Sequence, residues 1–183
     1  MLPDVIETER LILRPYSLDD VEDVLSYASD PEWARYLGPV PQPYTRADAE
    51  EFLAGKLSQD HKNRASWAIE YAGSAIGGVD IGFDIRNRVG TIGYSIARRL
   101  WGKGLATEAA GAVIDASFTA CPDLNRIQAT TDERNVGSLR IMEKLGMARE
   151  GFLRQDQYVR GEFRNTVCCG LLRCEWEAER NRT

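Results

Sequence analysis

Arg99-Leu100-Trp101-Gly102-Lys103-Gly104-Leu105-Ala106-Thr107-Glu108 is the stretch on which the reading of this 183-residue chain turns. It follows a strand-like run, Gly90 to Ala97, and leads into residues 103–120, where Leu105, Ala109, Ala112, Val113 and Ala116 recur at helical spacing. Two glycines between a strand and a helix N-terminus leave successive backbone N–H groups unpaired and pointing one way, a seat for phosphate or pyrophosphate. Lys103, Arg98 and Arg99 add positive charge. The residues alone also allow a plainer reading, in which Gly102 and Gly104 turn a corner and let an Ala-rich helix pack closely. Two familiar phosphate loops fail here. A nucleoside-triphosphate loop needs Lys and then Ser or Thr after its last glycine, and Leu105 follows Gly104. A dinucleotide fingerprint needs Gly or Ala where Thr107 stands, and here the motif comes mid-chain after a strand meander.

Working outward, Ser66 to Ala72, Ala75 to Ile85 and Gly90 to Ala97 read as three strands, with turn signals at Gly73-Ser74 and Arg86-Asn87-Arg88. This predicts an antiparallel meander. Upstream, Leu11 and Leu13 alternate with Arg10, Ile12 and Arg14 as a half-polar strand, and Ser17-Leu18-Asp19-Asp20 supplies helix-start chemistry. The helix that follows must stop at Asp30-Pro31, because the residue before proline avoids the helical region. A loop rich in Pro and aromatics spans Pro31 to Tyr44. Thr45 then caps a second helix, with Asp48 as its capping-box partner. Downstream, Arg126 to Thr131 reads as a strand, 136–145 as an amphipathic helix closed by Gly146, and roughly 147–159 and 162–174 as two further strands. The order β-α-α-β-β-β-α-β-α-β-β is an α/β (α+β mixed) fold, a mixed sheet with helices on its faces, and only the crossover through 103–120 demands parallel neighbours. No linker or repeat interrupts it, so residues 1–183 are read as a single domain.

Composition removes several function classes. At 43% apolar and 28% charged, with 16 Gly against 7 Pro, the chain is that of a globular protein with a core, not a disordered or fibrous one. No apolar run approaches the ~20 residues of a membrane span. Residues Met1 to Arg14 hold Asp4, Glu7 and Glu9 and no signal-like apolar run, so a cytoplasmic location is expected. With 23 Lys+Arg against 28 Asp+Glu the net charge is −5, and no general attraction to nucleic acid or anionic membrane is expected. Cys121, Cys168, Cys169 and Cys174 form no C-x-x-C pair and are read as reduced core thiols, with vicinal Cys168 and Cys169 on opposite faces of a strand. The one histidine, His61, lies in a polar run, so neither a zinc site nor a Ser-His-Asp system is expected.

The run Arg99-Leu100-Trp101-Gly102-Lys103-Gly104 resembles the [QR]-x-x-G-x-[GA] signature of the GNAT N-acetyltransferases. Its extension through Ala109 is similar to the RimJ/RimL branch, which modifies ribosomal-protein N-termini. Glu7 to Arg14 resembles that branch's first strand, and Asn135-Val136-Gly137-Ser138, Glu143-Lys144-Leu145-Gly146-Met147 and Glu150-Gly151 resemble its asparagine-to-glycine block. The resemblance runs from about residue 7 to 175. It implies a central mixed sheet of six or seven strands, with two parallel strands splayed to admit acetyl-CoA as cosubstrate and no metal. It further implies coenzyme A contacts from Ile96, Arg99, Gly102, Lys103, Gly104, Ala106, Thr107 and Asn135. The turn would take the pyrophosphate, the N–H near Ile96 would polarise the thioester carbonyl, and Asn135 would face the pantetheine arm or act as a helix cap.

Transfer to an amine needs a proton acceptor and gains from a donor at the departing sulfur. Many relatives place a tyrosine where Met142 stands, and Met142 cannot donate; Ser138 is the substitute expected from the branch, or else an ordinary helix residue. For the base, strand parity offers Glu70, Asp80 and Asp156 with Tyr158, or a water chain. The resemblance implies an acceptor site shaped by the loop from Trp33 to Tyr44 and the strands near Asp156, and an amine-bearing protein or small molecule as partner. A protein N-terminal α-amine is favoured by the branch; polyamine, aminoglycoside and amino-acid acetylation occur on the same fold. A non-catalytic acyl-CoA sensor and a dinucleotide oxidoreductase are the readings of other classes, and an edge strand or the aromatic loop could support a homodimer.

Overall fold

The computed structural model describes residues 2–38, 40–58 and 63–181. Eight strands form one sheet in the order β1-β2-β3-β4-β5-β6-β8-β7. They are β1 (Ile6–Glu7), β2 (Ile12–Arg14), β3 (Arg64–Tyr71), β4 (Ser74–Asp84), β5 (Val89–Ile96), β6 (Arg126–Asp132), β7 (Ala148–Val159) and β8 (Glu162–Leu172). The helices are α1 (Val21–Ala28), α2 (Pro31–Ala34), α3 (Arg46–Leu57), α4 (Leu105–Ala120), α5 (Val136–Lys144) and α6 (Arg173–Arg180). The expected mixed fold is present, with additions that sequence periodicity passes over. The two-residue β1 pairs with β2 and makes the eighth strand. Within the proline-rich loop, Asp30 accepts the Glu32 N–H and Pro31 opens the single turn of α2, a use of proline at the first helical position.

Local chemistry sets most boundaries. Thr45 and Asp48 form the capping box of α3, and Ser17 with Asp20 forms another at the turn before α1. Gly146 at φ 74° closes α5, as a left-handed C-cap requires. The last strand ends at Leu172, where Glu175 accepts the Leu172 N–H and starts α6, so residues 173–174 are helical and not strand. Cys174 is accordingly exposed on α6, against the core-thiol reading, while Cys169 is buried and all four cysteines are free thiols. His61 lies outside the described residues.

The two faces of the sheet carry separate cores. On one, Trp67, Ile69, Val79, Ile81, Ile92 and Ile127 pack under Leu105, Val113, Ile114 and Phe118 of α4. Ala109 and Ala110 are fully buried there, so the small residues of α4 do bring it close to the strands. On the other, Val24, Tyr27 and Ala28 of α1 and Ala49 and Leu53 of α3 cover Tyr16, Ala68 and Ala75. Burial of each large aliphatic side chain contributes about 1.5–3 kcal/mol, which fixes both helical layers on the sheet. No described helix is long and apolar enough to cross a membrane.

The feature that positions the site is an interruption. β5 and β6 are parallel but pair only through Val89↔Arg126, Gly90↔Ile127 and Thr91↔Gln128. Beyond Thr91, β5 continues on β4 to Ile96, while β6 continues on β8 to Asp132. A gap therefore opens between the two central strands from Ile92 onward. The glycine turn at its mouth leads into α4.

Candidate active site

The Gly102 and Gly104 turn is built as an anion cradle. Gly102 has φ 76° and Gly104 φ 79°, a left-handed region that costs an L-residue roughly 1–2 kcal/mol. A Cβ would meet nothing within 4 Å at Gly102 and only the Arg10 guanidinium, at 3.5 Å, at Gly104. The space in front of both is open. Gly104 is the N-cap of α4 and offers no side-chain cap. The six consecutive N–H groups from Gly102 to Thr107, which include those of Lys103, Ala106 and Thr107, have no hydrogen-bond acceptor among the described residues. Unpaired N–H groups at a helix start, with the positive end of its dipole behind them, are the donor set a pyrophosphate takes. Arg98, Arg99 and Lys103 are exposed beside them.

Glu108 ties this turn to the connection between β1 and β2. Its carboxylate accepts from Thr8 Oγ1 (2.6 Å) and from the N–H and Nε of Arg10 (2.8 and 2.7 Å), while Arg10 Nη1 donates to the Lys103 carbonyl at 2.9 Å. Burial works to raise the Glu108 carboxyl's pKa, but the Thr8 and Arg10 hydrogen bonds outweigh it and hold it below the ordinary range.

The gap itself is lined by backbone and by hydroxyls. The Ala97 N–H bonds to the Ile76 carbonyl on β4, so by the alternation of an antiparallel ladder the N–H of Ile96 points the other way, into the gap. The Ile96 carbonyl is taken by Trp101 Nε1 at 2.7 Å. Across the gap, Asn135 caps α5, its Oδ1 accepting the Ser138 N–H at 3.1 Å. The cap role of Asn135 is thus present. Ser138 Oγ lies 3.1 Å from the hydroxyl of Tyr94, a residue the sequence reading passed over. Burial pushes the Tyr94 phenol up to about 12 against the opposing hydrogen bond from Ser138, so at neutral pH it stays protonated. Met142 is 1% exposed and packs in the core.

The carboxylate candidates separate clearly. Glu70 is held by Arg14 at 2.5 Å, and the same guanidinium binds the buried Asp20; it is part of the frame. Asp80 lines a cavity of about 530 Å³ with Arg64, Asp84, Thr91, Ile92, Gly93 and Thr130, at the place where β5 and β6 part. Its carboxylate oxygens are 3.7 and 3.8 Å from where a Cβ at Gly93 would be. It pairs with Arg64 at 3.3 Å and Lys56 at 3.9 Å, and burial holds the Lys56 ammonium's pKa below its ordinary value despite Asp80. Asp156 and Tyr158 lie on the exposed arm of β7. Tyr158 is 66% exposed and packs at a tilt against Phe163, centroids 4.9 Å apart, and among the described residues Asp156 makes no hydrogen bond or ion pair. Among the described residues Ser138 hydrogen-bonds to Tyr94 and Asn135 and to neither of these two.

A second cavity, of about 640 Å³, opens between α1, α3 and the proline-rich loop, with Tyr27, Trp33, Tyr44 and Phe52 as aromatic walls. It shares Arg64 with the Asp80 cavity. The loop that bounds it is tied to the β7–β8 hairpin by two arginines. Arg160 donates to the carbonyls of Ala34 (2.9 Å) and Val40 (3.3 Å), and the buried Arg164 donates to that of Arg35 at 2.7 Å. Main-chain acceptors carry no residue signature, so sequence spacing could not find these ties. Among the described residues there is no group of His, Cys, Asp and Glu able to hold a metal ion.

Comparison with known proteins agrees with this geometry. Residues 10–148 match the model of the acetyltransferase (GNAT) domain. An uncharacterized N-acetyltransferase of Bacillus licheniformis, p20, is 31% identical over 176 residues, 94% of this chain and 98% of that one. Spermidine N(1)-acetyltransferase of Escherichia coli K12 is 27% identical over 168 residues, 91% of this chain and 88% of that one. Among solved structures, RimL, a ribosomal alpha-N-protein acetyltransferase in complex with coenzyme A, superposes with a TM-score of 0.82 at 16% identity, over 92% of this chain and 97% of that one. That likeness is one of fold.

Proposed function

Since the chain belongs to the GNAT acetyltransferase family and is an acetyl-CoA-dependent N-acetyltransferase, we propose that its acceptor is a protein N-terminal α-amine. The observation that carries the cofactor half is the row of six unpartnered N–H groups at the mouth of the β5/β6 gap. The acceptor half rests on the branch resemblance and on an aromatic-walled cavity wide enough for a terminal residue of a peptide.

When bound, acetyl-CoA supplies the acetyl group as an activated thioester. The N–H groups of Gly102 to Thr107 hold its pyrophosphate, with Arg99 and Lys103 screening the phosphate charge. The N–H of Ile96 donates to the carbonyl oxygen as negative charge develops there. Asn135 keeps α5 in place beside the pantetheine arm, and Ser138 donates a hydrogen bond to the departing sulfur. Asp80, over Gly93, takes the proton that the amine must lose on attack, while Asp156 and Tyr158 sit on the hairpin arm as rim contacts for the acceptor. A net charge of −5 favours a cationic partner.

The test is thiol release from acetyl-CoA against N-terminal peptides, polyamines, aminoglycosides and free amino acids. Peptide turnover with the others silent supports the proposal. Turnover of a polyamine alone replaces the acceptor class, in line with the spermidine-acetylating relative, and leaves the cofactor assignment standing.

A further inference from the structure

The Tyr94–Ser138 hydroxyl pair is the contact that bridges the β5/β6 gap from strand to helix. Tyr94 lies three residues past the last β5–β6 pair, at Thr91↔Gln128, and Ser138 lies in the first turn of α5, 44 residues further along the chain. The Tyr94 hydroxyl has one hydrogen and two acceptors in reach: Ser138 Oγ at 3.1 Å and the Ser138 carbonyl at 3.3 Å. The choice decides what Ser138 can do. If Tyr94 donates to the carbonyl, the Ser138 hydrogen is spent on the phenol oxygen. If Tyr94 donates to Oγ, the Ser138 hydrogen is free for a third group.

We infer that Tyr94 is a positioning residue for acetyl transfer, orienting the Ser138 hydroxyl so that it donates to the sulfur leaving the thioester. This rests on the acetyl-CoA reading above and deepens it. An arriving sulfur selects the second arrangement, because it is the acceptor that Ser138 otherwise lacks. Tyr94 then polarises Oγ through the chain of hydrogen bonds, and the N-terminal end of α5 adds its partial positive charge. The hydrogen bonds stabilise the thiolate without passing a proton to it. The thiolate collects its proton from solvent after it leaves, and both hydroxyls end as they began. Met142, buried in the core, carries no hydroxyl, and Ser138 on α5 with Tyr94 on β5 supplies the paired hydroxyls.

The test uses Tyr94→Phe, Ser138→Ala, the double variant and Ser138→Thr, with two readouts. The first needs no acceptor: titration of the thiol in the coenzyme A complex by its ultraviolet thiolate absorbance. The bound thiol's pKa rises by about one pH unit in Ser138→Ala, the size of one hydrogen bond to a charged group. It rises in Tyr94→Phe also, by less, because only the polarising bond behind Oγ is lost, and the double variant goes no higher than Ser138→Ala. The second readout is kcat with an amine acceptor, which falls about tenfold in Tyr94→Phe while acetyl-CoA affinity and melting temperature stay near wild type. Ser138→Thr retains most of the activity. An unchanged thiol titration in Tyr94→Phe overturns the inference, as does an effect of Tyr94→Phe that persists undiminished in the Ser138→Ala background. A protein that binds no coenzyme A refutes the cofactor reading itself, and this inference with it. Bound thiol shifts as stated but no amine turned over would leave the pair's role at sulfur supported and remove the transfer reading.

Discussion

Gly104→Glu is the perturbation that bears most directly on the cradle, and its size follows from the turn. Gly104 sits at φ 79° with only Arg10 Nη2 near a Cβ, so any side chain meets backbone strain of roughly 1–2 kcal/mol rather than a clash. Gly104→Ala isolates that part. In a chain of this length it lowers the melting temperature by about 3–6 °C and leaves coenzyme A affinity within about threefold. Glutamate adds a carboxylate to the seat of a pyrophosphate. At about 6 Å and an effective dielectric near ~40, each phosphate charge repels it by about 1.4 kcal/mol, and two charges by about 3 kcal/mol, or roughly 100-fold in affinity. The assay is calorimetric titration with coenzyme A for both variants, with circular dichroism to confirm folding. A folded Gly104→Glu protein that binds coenzyme A within threefold of Gly104→Ala refutes the placement of the pyrophosphate.

Other substitutions probe the frame. Glu108→Gln removes a carboxylate that accepts from Thr8 and Arg10 and destabilises by about 2 kcal/mol at neutral pH, read by urea unfolding. Because the folded pKa of Glu108 is lowered, wild type's advantage is full above the unfolded carboxyl's ordinary 4.5 and is lost as pH falls through the folded value; an advantage that grows on acidification would contradict this. Arg164→Gln leaves the Arg35 carbonyl and Asp132 without their buried partner and costs about 2 kcal/mol, with acceptor KM rising more than acetyl-CoA KM in steady-state kinetics. Met142→Tyr adds volume and a hydroxyl at a buried position. It overpacks a core site that is 1% exposed, destabilises by about 1–3 kcal/mol and leaves kcat no higher than wild type.

Much of this architecture is legible in the sequence because it is written in local chemistry. Thr45 with Asp48, the glycine after Leu145, and the alternation of the meander each depend on residues within a few positions. The splay of β5 from β6 follows only from the family resemblance, since no residue pattern marks where two parallel strands stop pairing. Long-range side-chain meetings leave no local mark. Tyr94 and Ser138 are distant in sequence, and nothing local to Gly93-Tyr94-Ser95 announces the contact. Strand parity alone offers Glu70 as a base; parity fixes the face but not the partner, and Arg14 claims it. Asp156 shows the same limit, since the β7–β8 register shifts between Leu153 and Gln157 and simple alternation no longer fixes its face.

The central claim is that the Gly102–Thr107 turn is a coenzyme A pyrophosphate seat at the mouth of a gap that admits the thioester. Calorimetric titration of the wild-type protein with coenzyme A, beside desulfo-coenzyme A and pantetheine lacking the pyrophosphate, tests it in one experiment. The account predicts that both nucleotides bind with similar affinity while pantetheine binds at least about 100-fold more weakly. Equal binding of pantetheine and coenzyme A, or no binding of either nucleotide, would contradict it.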